Sequence, residues 1–173
     1  LDKRGMEIAA LNCSGNQLCP GKMGELHTKT IYDTAVLAGK LGVKKLVMMS
    51  GLPAGAPGDK TPNWFTSTVS WPYYMVESVR YQWEDVAIPW WKKFVEHCKK
   101  NGVEQIAIEE FPCQLVHNPE TLWKLRNAVD PMIGMNMDPS HLMVMGADPI
   151  TGLRNLEGAI YHIHGKDARI ERG

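Results

Sequence analysis

The chain has 173 residues, and its 19 basic residues balance 19 acidic ones, so the formal net charge at pH 7 is zero. Because neither sign forms a long run, nothing in the sequence favours binding to nucleic acid or to an anionic membrane surface. The apolar stretches are no longer than strands, and the start has no signal-peptide core. We therefore expect a soluble, cytoplasmic protein that acts on a neutral small molecule.

Four cysteines, Cys13, Cys19, Cys98 and Cys113, show no C-x-x-C spacing, which argues against a redox motif or a zinc site built on cysteine. Free thiols are the simpler interpretation, and they suit a reducing compartment. No repeat or linker divides the sequence, so residues 1–173 are expected to form a single domain.

The first half of the chain contains two predicted strands and one long helix. Residues 6–11 are mostly apolar and end in a polar turn, which predicts a strand. Apolar residues at helical spacing over 27–41 predict a helix that stops at Gly42. Residues 45–49 are the second strand, and the Gly- and Pro-rich segment 51–62 after it is interpreted as an active-site loop.

The second half continues the alternation. Helices are predicted at 73–80 and 83–100, where Pro89 should kink or divide the second one. The remaining predicted elements are, in order, a strand at 105–109, a helix at 119–129, a strand at 133–138, a helix at 148–156 and a strand at 159–164.

Alternating strands and helices predict right-handed crossovers and a parallel sheet. A flavodoxin-like sheet of five strands is the alternative, but no Gly-rich phosphate loop follows the first strand. An eight-stranded α/β barrel needs about 250 residues. The favoured fold is therefore a TIM (β/α)8 barrel represented by about five consecutive βα units.

Three of the predicted strands end on metal-binding side chains, Glu109, Asp138 and His164. In a parallel barrel all strands end at one face, and neighbouring strands lie about 4.8 Å apart. Two donors about 2.1 Å from one ion lie at most roughly 4 Å apart, so three adjacent strand ends suit a single metal. Two carboxylates and an imidazole favour Mn²⁺ or Mg²⁺, with Zn²⁺ as a further candidate.

Each of these residues also has a simpler interpretation. Glu109 and Glu110 could be a surface pair, and Asp138 could serve only to start a helix. His162 and His164 share one face of their strand because they are two residues apart. We assign His164 as the ligand and expect His162 to be buried and hydrogen-bonded.

Four segments, 108–109, 116–122, 134–142 and 161–167, resemble the sugar phosphate isomerase/epimerase family, which has the xylose isomerase-like TIM barrel. The D-P-S-H-L and H-x-H-x-K-D motifs are fairly specific when they occur together. The resemblance covers nearly the whole chain and aligns it with the third to seventh barrel strands. It implies that the chain is a fragment of such an enzyme.

The resemblance also implies a ligand set and a chemistry. Glu109, Asp138 and His164 match the first three metal ligands of the family, and the fourth, a Glu on the last strand, has no counterpart here. The implied activity is that of a metal-dependent sugar or sugar phosphate isomerase or epimerase, in which a proton next to a metal-bound carbonyl is removed. Glu109 would be one base, and His141 would be a second catalytic group that also contacts the substrate.

The expected carbohydrate-contacting residues lie in the turns after the strands. Two of them, Ser14 and Phe111, stand where many relatives have histidine, and Cys19 replaces another histidine nearby. The complete set of expected substrate contacts is Ser14, Asn16, Phe111, His141, Lys166 and Trp71.

Other functions fit the same residues. A metal-assisted lyase or hydrolase acting on a keto-glycoside or an inosose would need the same metal and the same base. The DNA-repair members of the family need further histidines, which zero net charge and the replaced histidines argue against. An inactive fragment and a homo-oligomer are also left open at this point.

Overall fold

The computed structural model describes residues 2–66, 73–169 and 171. Five strands form one parallel sheet in the order β1-β2-β3-β4-β5. The strands are β1 (Leu11–Asn12), β2 (Lys45–Met49), β3 (Gln105–Glu109), β4 (Ile133–Met137) and β5 (Ile160–Ile163). Consecutive strands are spatial neighbours, which confirms the prediction of successive βα units.

Six α-helices lie within the described residues, together with a 3-10 turn at Asp2–Arg4 and a π-helical segment at Tyr81–Ala87. The helices are α1 (Lys22–Leu41), α2 (Tyr73–Arg80), α3 (Ile88–Lys100), α4 (Pro119–Val129), α5 (Pro139–Val144) and α6 (Pro149–Asn155). The expected division near Pro89 is present, because the π-helical segment ends just before α3. The sequence did not predict α5, and α1 begins five residues before its predicted start.

The predicted first strand at 6–11 is wrong in extent, since β1 contains only two residues. Leu11 pairs with Leu46, so the residue before Leu11 already lies opposite Lys45, where β2 begins. Earlier residues run past the end of their partner strand, and Met6 is 52% exposed. The apolar pattern was therefore not sufficient to define a strand without a neighbour to pair with.

The two faces of the sheet differ in side-chain size. Leu46, Ile106 and Ile133 are fully buried on the face that packs against the helices. The register places Val47, Ala107 and Gly134 side by side on the opposite, inner face. Small residues there leave room at the level below the strand ends.

A β-bulge interrupts the pairing of β4 with β5. Met135 pairs with Ile160 and Asn136 pairs with His162, so Tyr161 has no partner in the ladder. The Tyr161 hydroxyl donates a hydrogen bond to the Pro131 carbonyl oxygen at 2.7 Å. The Tyr161 ring lies over Gly134, where an added Cβ would be 2.3 Å from ring atom Cδ2. This glycine therefore makes the space that the bulged tyrosine occupies.

Within the described residues, β1 pairs only with β2 and β5 pairs only with β4, so the sheet is open at both sides. No helix in this part of the chain combines the length and the apolar character needed to cross a membrane.

Candidate metal centre

The predicted triad converges at the carboxyl ends of the strands. Glu109 is the last residue of β3, Asp138 follows β4, and His164 follows β5. One potential ligand atom from each of the three residues lies within 4.8 Å of the other two. The expected proximity of the three side chains is therefore confirmed.

The carboxylates are deeper in the site than the imidazole. Glu109 is 5% exposed and Asp138 is fully buried, whereas His164 is half-buried. His164 Nδ1 lies 3.3 Å from Glu109 Oε2 and 3.8 Å from Asp138 Oδ2. The site is thus closed on the carboxylate side and open on the histidine side.

The two carboxylate oxygens of Asp138 make different contacts. Oδ1 accepts hydrogen bonds from Ser140 N at 3.1 Å and Ser140 Oγ at 2.6 Å, which caps α5. Oδ2 is buried and accepts no well-directed hydrogen bond within the described residues, although Lys166 Nζ lies 2.5 Å away. Burial raises the pKa of the Asp138 carboxyl, but the interactions with Lys166 and Ser140 lower it by a larger amount. The pKa of Asp138 is therefore below its ordinary value. The helix-start interpretation and the ligand interpretation are both compatible with this geometry.

His141 enters the site from α5. Its Nε2 atom lies 2.9 Å from Glu109 Oε1 and 3.2 Å from Asp138 Oδ2. The ring packs edge-on against Phe111, with 4.4 Å between the ring centroids. Lys166 completes this group, because its Nζ is 4.0 Å from Glu109 Oε1 as well as close to Asp138. The structure therefore places four of the expected residues, His141, Phe111, Lys166 and Glu109, in direct contact with one another or with Asp138.

Sequence reasoning missed two buried polar residues at the site. Glu110 is fully buried, and its Oε1 accepts a hydrogen bond from Asp138 N at 2.8 Å. Burial raises the pKa of the Glu110 carboxyl to about 8. Asn136 is fully buried as well and contacts Glu109 and His164. The signal for Asn136 was its position two residues before Asp138, which puts both on the same face of β4.

Two of the remaining expected substrate contacts, Ser14 and Asn16, lie in the turn after β1. The Ser14 hydroxyl is exposed and donates to Asn12 Oδ1 at 2.8 Å. Asn16 binds the backbone of Leu52 through both side-chain polar atoms, at 2.8 Å and 3.0 Å. Asn16 thereby links the loop after β1 to the loop after β2. Trp71 lies outside the described residues.

Two further expectations concern residues beside the site. His162 was expected to be buried, and this was wrong, because β5 is an outer strand and His162 is half-buried. Its ring centroid lies 5.7 Å from that of His164. All four cysteines are free, as predicted.

The donor set fits a hard divalent cation. Two carboxylates and one imidazole are ligands that Mn²⁺, Mg²⁺ and Zn²⁺ accept, and none of the three residues is a thiolate that would enforce Zn²⁺. The buried Asp138 Oδ2, which lacks a well-directed hydrogen bond, is a suitable ligand atom. The fold and the donor set are thus compatible with a divalent-cation site at the carboxyl end of the parallel sheet.

Comparisons with known proteins agree with this fold. The chain is 61% identical over 172 residues to the uncharacterized protein YfiH of Bacillus subtilis (strain 168), covering 99% of this chain and 55% of that protein. It therefore spans about half the length of this curated relative. A D-tagatose 3-epimerase-like protein superposes with a TM-score of 0.65 at 21% identity, over 95% of this chain and 58% of its own.

A second solved structure, the IOLI protein with a bound zinc atom, superposes with a TM-score of 0.58 at 20% identity, over 90% of this chain and 50% of its own. These superpositions show a shared fold. The family model described as xylose isomerase-like TIM barrel matches residues 1–173. The chain therefore belongs to the xylose isomerase-like TIM barrel family.

Proposed function

We propose that the protein is a divalent-metal-dependent sugar or sugar phosphate isomerase or epimerase that moves a proton next to a carbonyl group. The observation that carries this proposal is the convergence of Glu109, Asp138 and His164 within 4.8 Å at three consecutive strand ends. The epimerase-like and zinc-binding structures of the same fold support it.

Glu109, Asp138 and His164 would hold the cation. When bound, a divalent cation would polarise a substrate carbonyl and thereby acidify the neighbouring C–H group. Glu109 would accept the released proton; its carboxylate is nearly buried, and its Oε2 atom lies 3.3 Å from His164 Nδ1 on the more exposed side of the site. Both carboxylates are buried, and the low dielectric of a buried site strengthens electrostatic interactions there.

His141 would assist Glu109. Its Nε2 atom is within hydrogen-bond reach of Glu109 Oε1, so the imidazole can orient this carboxylate and exchange a proton with it or with a substrate hydroxyl. The edge-on Phe111 ring restricts the rotation of His141. Lys166, which is about half-exposed, could donate to a substrate oxygen.

In this proposal the loops after β1 and β2 would form one wall of the substrate pocket. Ser14 would offer an exposed hydroxyl, and Asn16 would hold the two loops together through Leu52. Trp71 is proposed as an aromatic surface for a sugar face.

The test is hydrogen exchange in ²H₂O with the full-length protein and a panel of ketoses, aldoses and their phosphates. We expect deuterium to enter the carbon next to the carbonyl when Mn²⁺ or Mg²⁺ is present and to stop entering when a chelator is added. Metal-independent exchange, or no exchange with any member of the panel, would contradict the proposal. Metal-dependent release of a leaving group would favour the lyase instead.

A further inference from the structure

Asn136 is a buried polar side chain that lies next to two of the three candidate metal ligands. It is fully buried on the inner face of β4, where the register places it between Glu109 on β3 and His162 on β5. It lies one level below the strand ends that carry Asp138 and His164. A side chain at this level can contact ligands from both neighbouring strands.

Asn136 contacts candidate ligands on both neighbouring strands. Its Nδ2 atom lies 3.2 Å from Glu109 Oε2, in a hydrogen bond to the carboxylate. The same atom lies 3.2 Å from His164 Nδ1 and 3.5 Å from His164 Nε2. Because the last two distances are so similar, the amide group rests against the imidazole between its two nitrogens. One side chain therefore restricts the orientation of two candidate ligands.

The chemistry of asparagine suits this position. An amide N–H stabilises the Glu109 carboxylate without adding a positive charge, which would repel a cation, or a negative charge, which would repel Glu109. Folding alone does not favour this residue, since Asn136 Oδ1 is buried and has no hydrogen-bond partner among the described residues. An apolar side chain of similar size would avoid that cost.

We propose that Asn136 is a positioning residue that sets the metal affinity of the site by fixing the orientations of Glu109 and His164, an inference that rests on the proposed metal-dependent function. Groups that hydrogen-bond to metal ligands typically change metal affinity about 10- to 100-fold when they are removed. Asn136→Leu removes the amide and keeps a side chain of similar size. Its effect should therefore appear in metal binding rather than in folding.

The experiment is isothermal titration of the metal-free full-length protein with Mn²⁺, combined with thermal unfolding before metal is added. We expect the Kd of Asn136→Leu to rise about 10- to 100-fold with the unfolding midpoint retained. Met135→Leu is the matched control, because Met135 is the adjacent, fully buried residue on the helix-facing side. Its Kd should equal that of the wild type.

A second measurement uses the unmodified protein and does not depend on how the variant folds. The ¹⁵N-labelled side-chain amide of Asn136 should shift during titration with Mg²⁺, in step with the His164 ring. If wild-type protein binds metal but the amide does not shift, or Asn136→Leu binds as tightly as wild type, this inference is wrong and the proposed function stands. If wild-type protein binds no divalent metal, both are wrong.

Discussion

His141 Nε2 lies 2.9 Å from Glu109 Oε1, so the helix that follows β4 supplies an imidazole to the carboxylate at the end of β3. A contact of this kind links a metal-ligand candidate to a residue that can carry a proton. We propose that His141 acts in proton transfer, a role that can be measured separately from metal binding.

His141→Gln should therefore slow turnover while the metal stays bound. Glutamine can still donate to Glu109, but it cannot exchange a proton near neutral pH, and loss of acid–base assistance typically costs about 10²- to 10⁴-fold in rate. The measurements are kcat for the exchange reaction and metal content. His97→Gln is the control, since His97 on α3 contacts the backbone of Tyr32. Full turnover in His141→Gln would rule out the proposed role.

Asp138→Asn should remove most of the metal and leave the fold in place. The change removes a ligand charge but no volume, and an asparagine can still cap α5. Asp148→Asn provides a matched control, because Asp148 caps α6 in the same way and is exposed. Metal content by mass spectrometry and far-UV circular dichroism would be compared for both. Metal retained at the wild-type level in Asp138→Asn would contradict the ligand assignment.

Gly134→Ala should destabilise the protein. An alanine Cβ would lie 2.3 Å from Tyr161 Cδ2 and 2.6 Å from the Ala159 carbonyl oxygen. Relieving such a clash requires β4 and β5 to separate, and overpacking of this kind typically costs about 1–3 kcal/mol. Urea unfolding would measure the change in the free energy of unfolding. Gly165→Ala is the control, since a Cβ there would have no heavy atom within 4 Å. If Gly134→Ala lowered the free energy of unfolding by no more than Gly165→Ala does, the proposed packing of Tyr161 on Gly134 would be wrong.

The four free cysteines should differ sharply in reactivity. Burial raises the pKa of the Cys13 thiol to about 12 and raises that of Cys98 as well, so neither forms much thiolate at pH 8. Cys113 is exposed. Iodoacetamide at pH 8, followed by peptide mass spectrometry, should label Cys113 in the native protein and all four cysteines in urea. Equal native labelling of Cys13 or Cys98 would show that these positions are accessible.

The sequence predicted that the three candidate ligands would lie close together, because parallel strands bring their carboxyl ends to one face, whatever the details of the loops. It could not predict how much of 6–11 would pair, because that length depends on where β2 begins. It also did not define α5, which is short, although Asp138, the N-cap residue of α5, was considered as a helix start. Without α5 the contact between His141 and Glu109 could not be derived, and Asn136 was missed because its role depends on the register of three strands.

The bulge at Tyr161 decides on which side of the sheet His164 lies. In an uninterrupted ladder, Tyr161 would pair with Asn136, and every later residue of β5 would be turned to the opposite face. Such a ladder, with Tyr161 retained and the bulge lost, would contain the same three candidate ligands and yet point His164 towards the helices. The three candidate ligands alone therefore do not define the site. The bulge in β5 is also required, because it determines on which face of the sheet His164 lies.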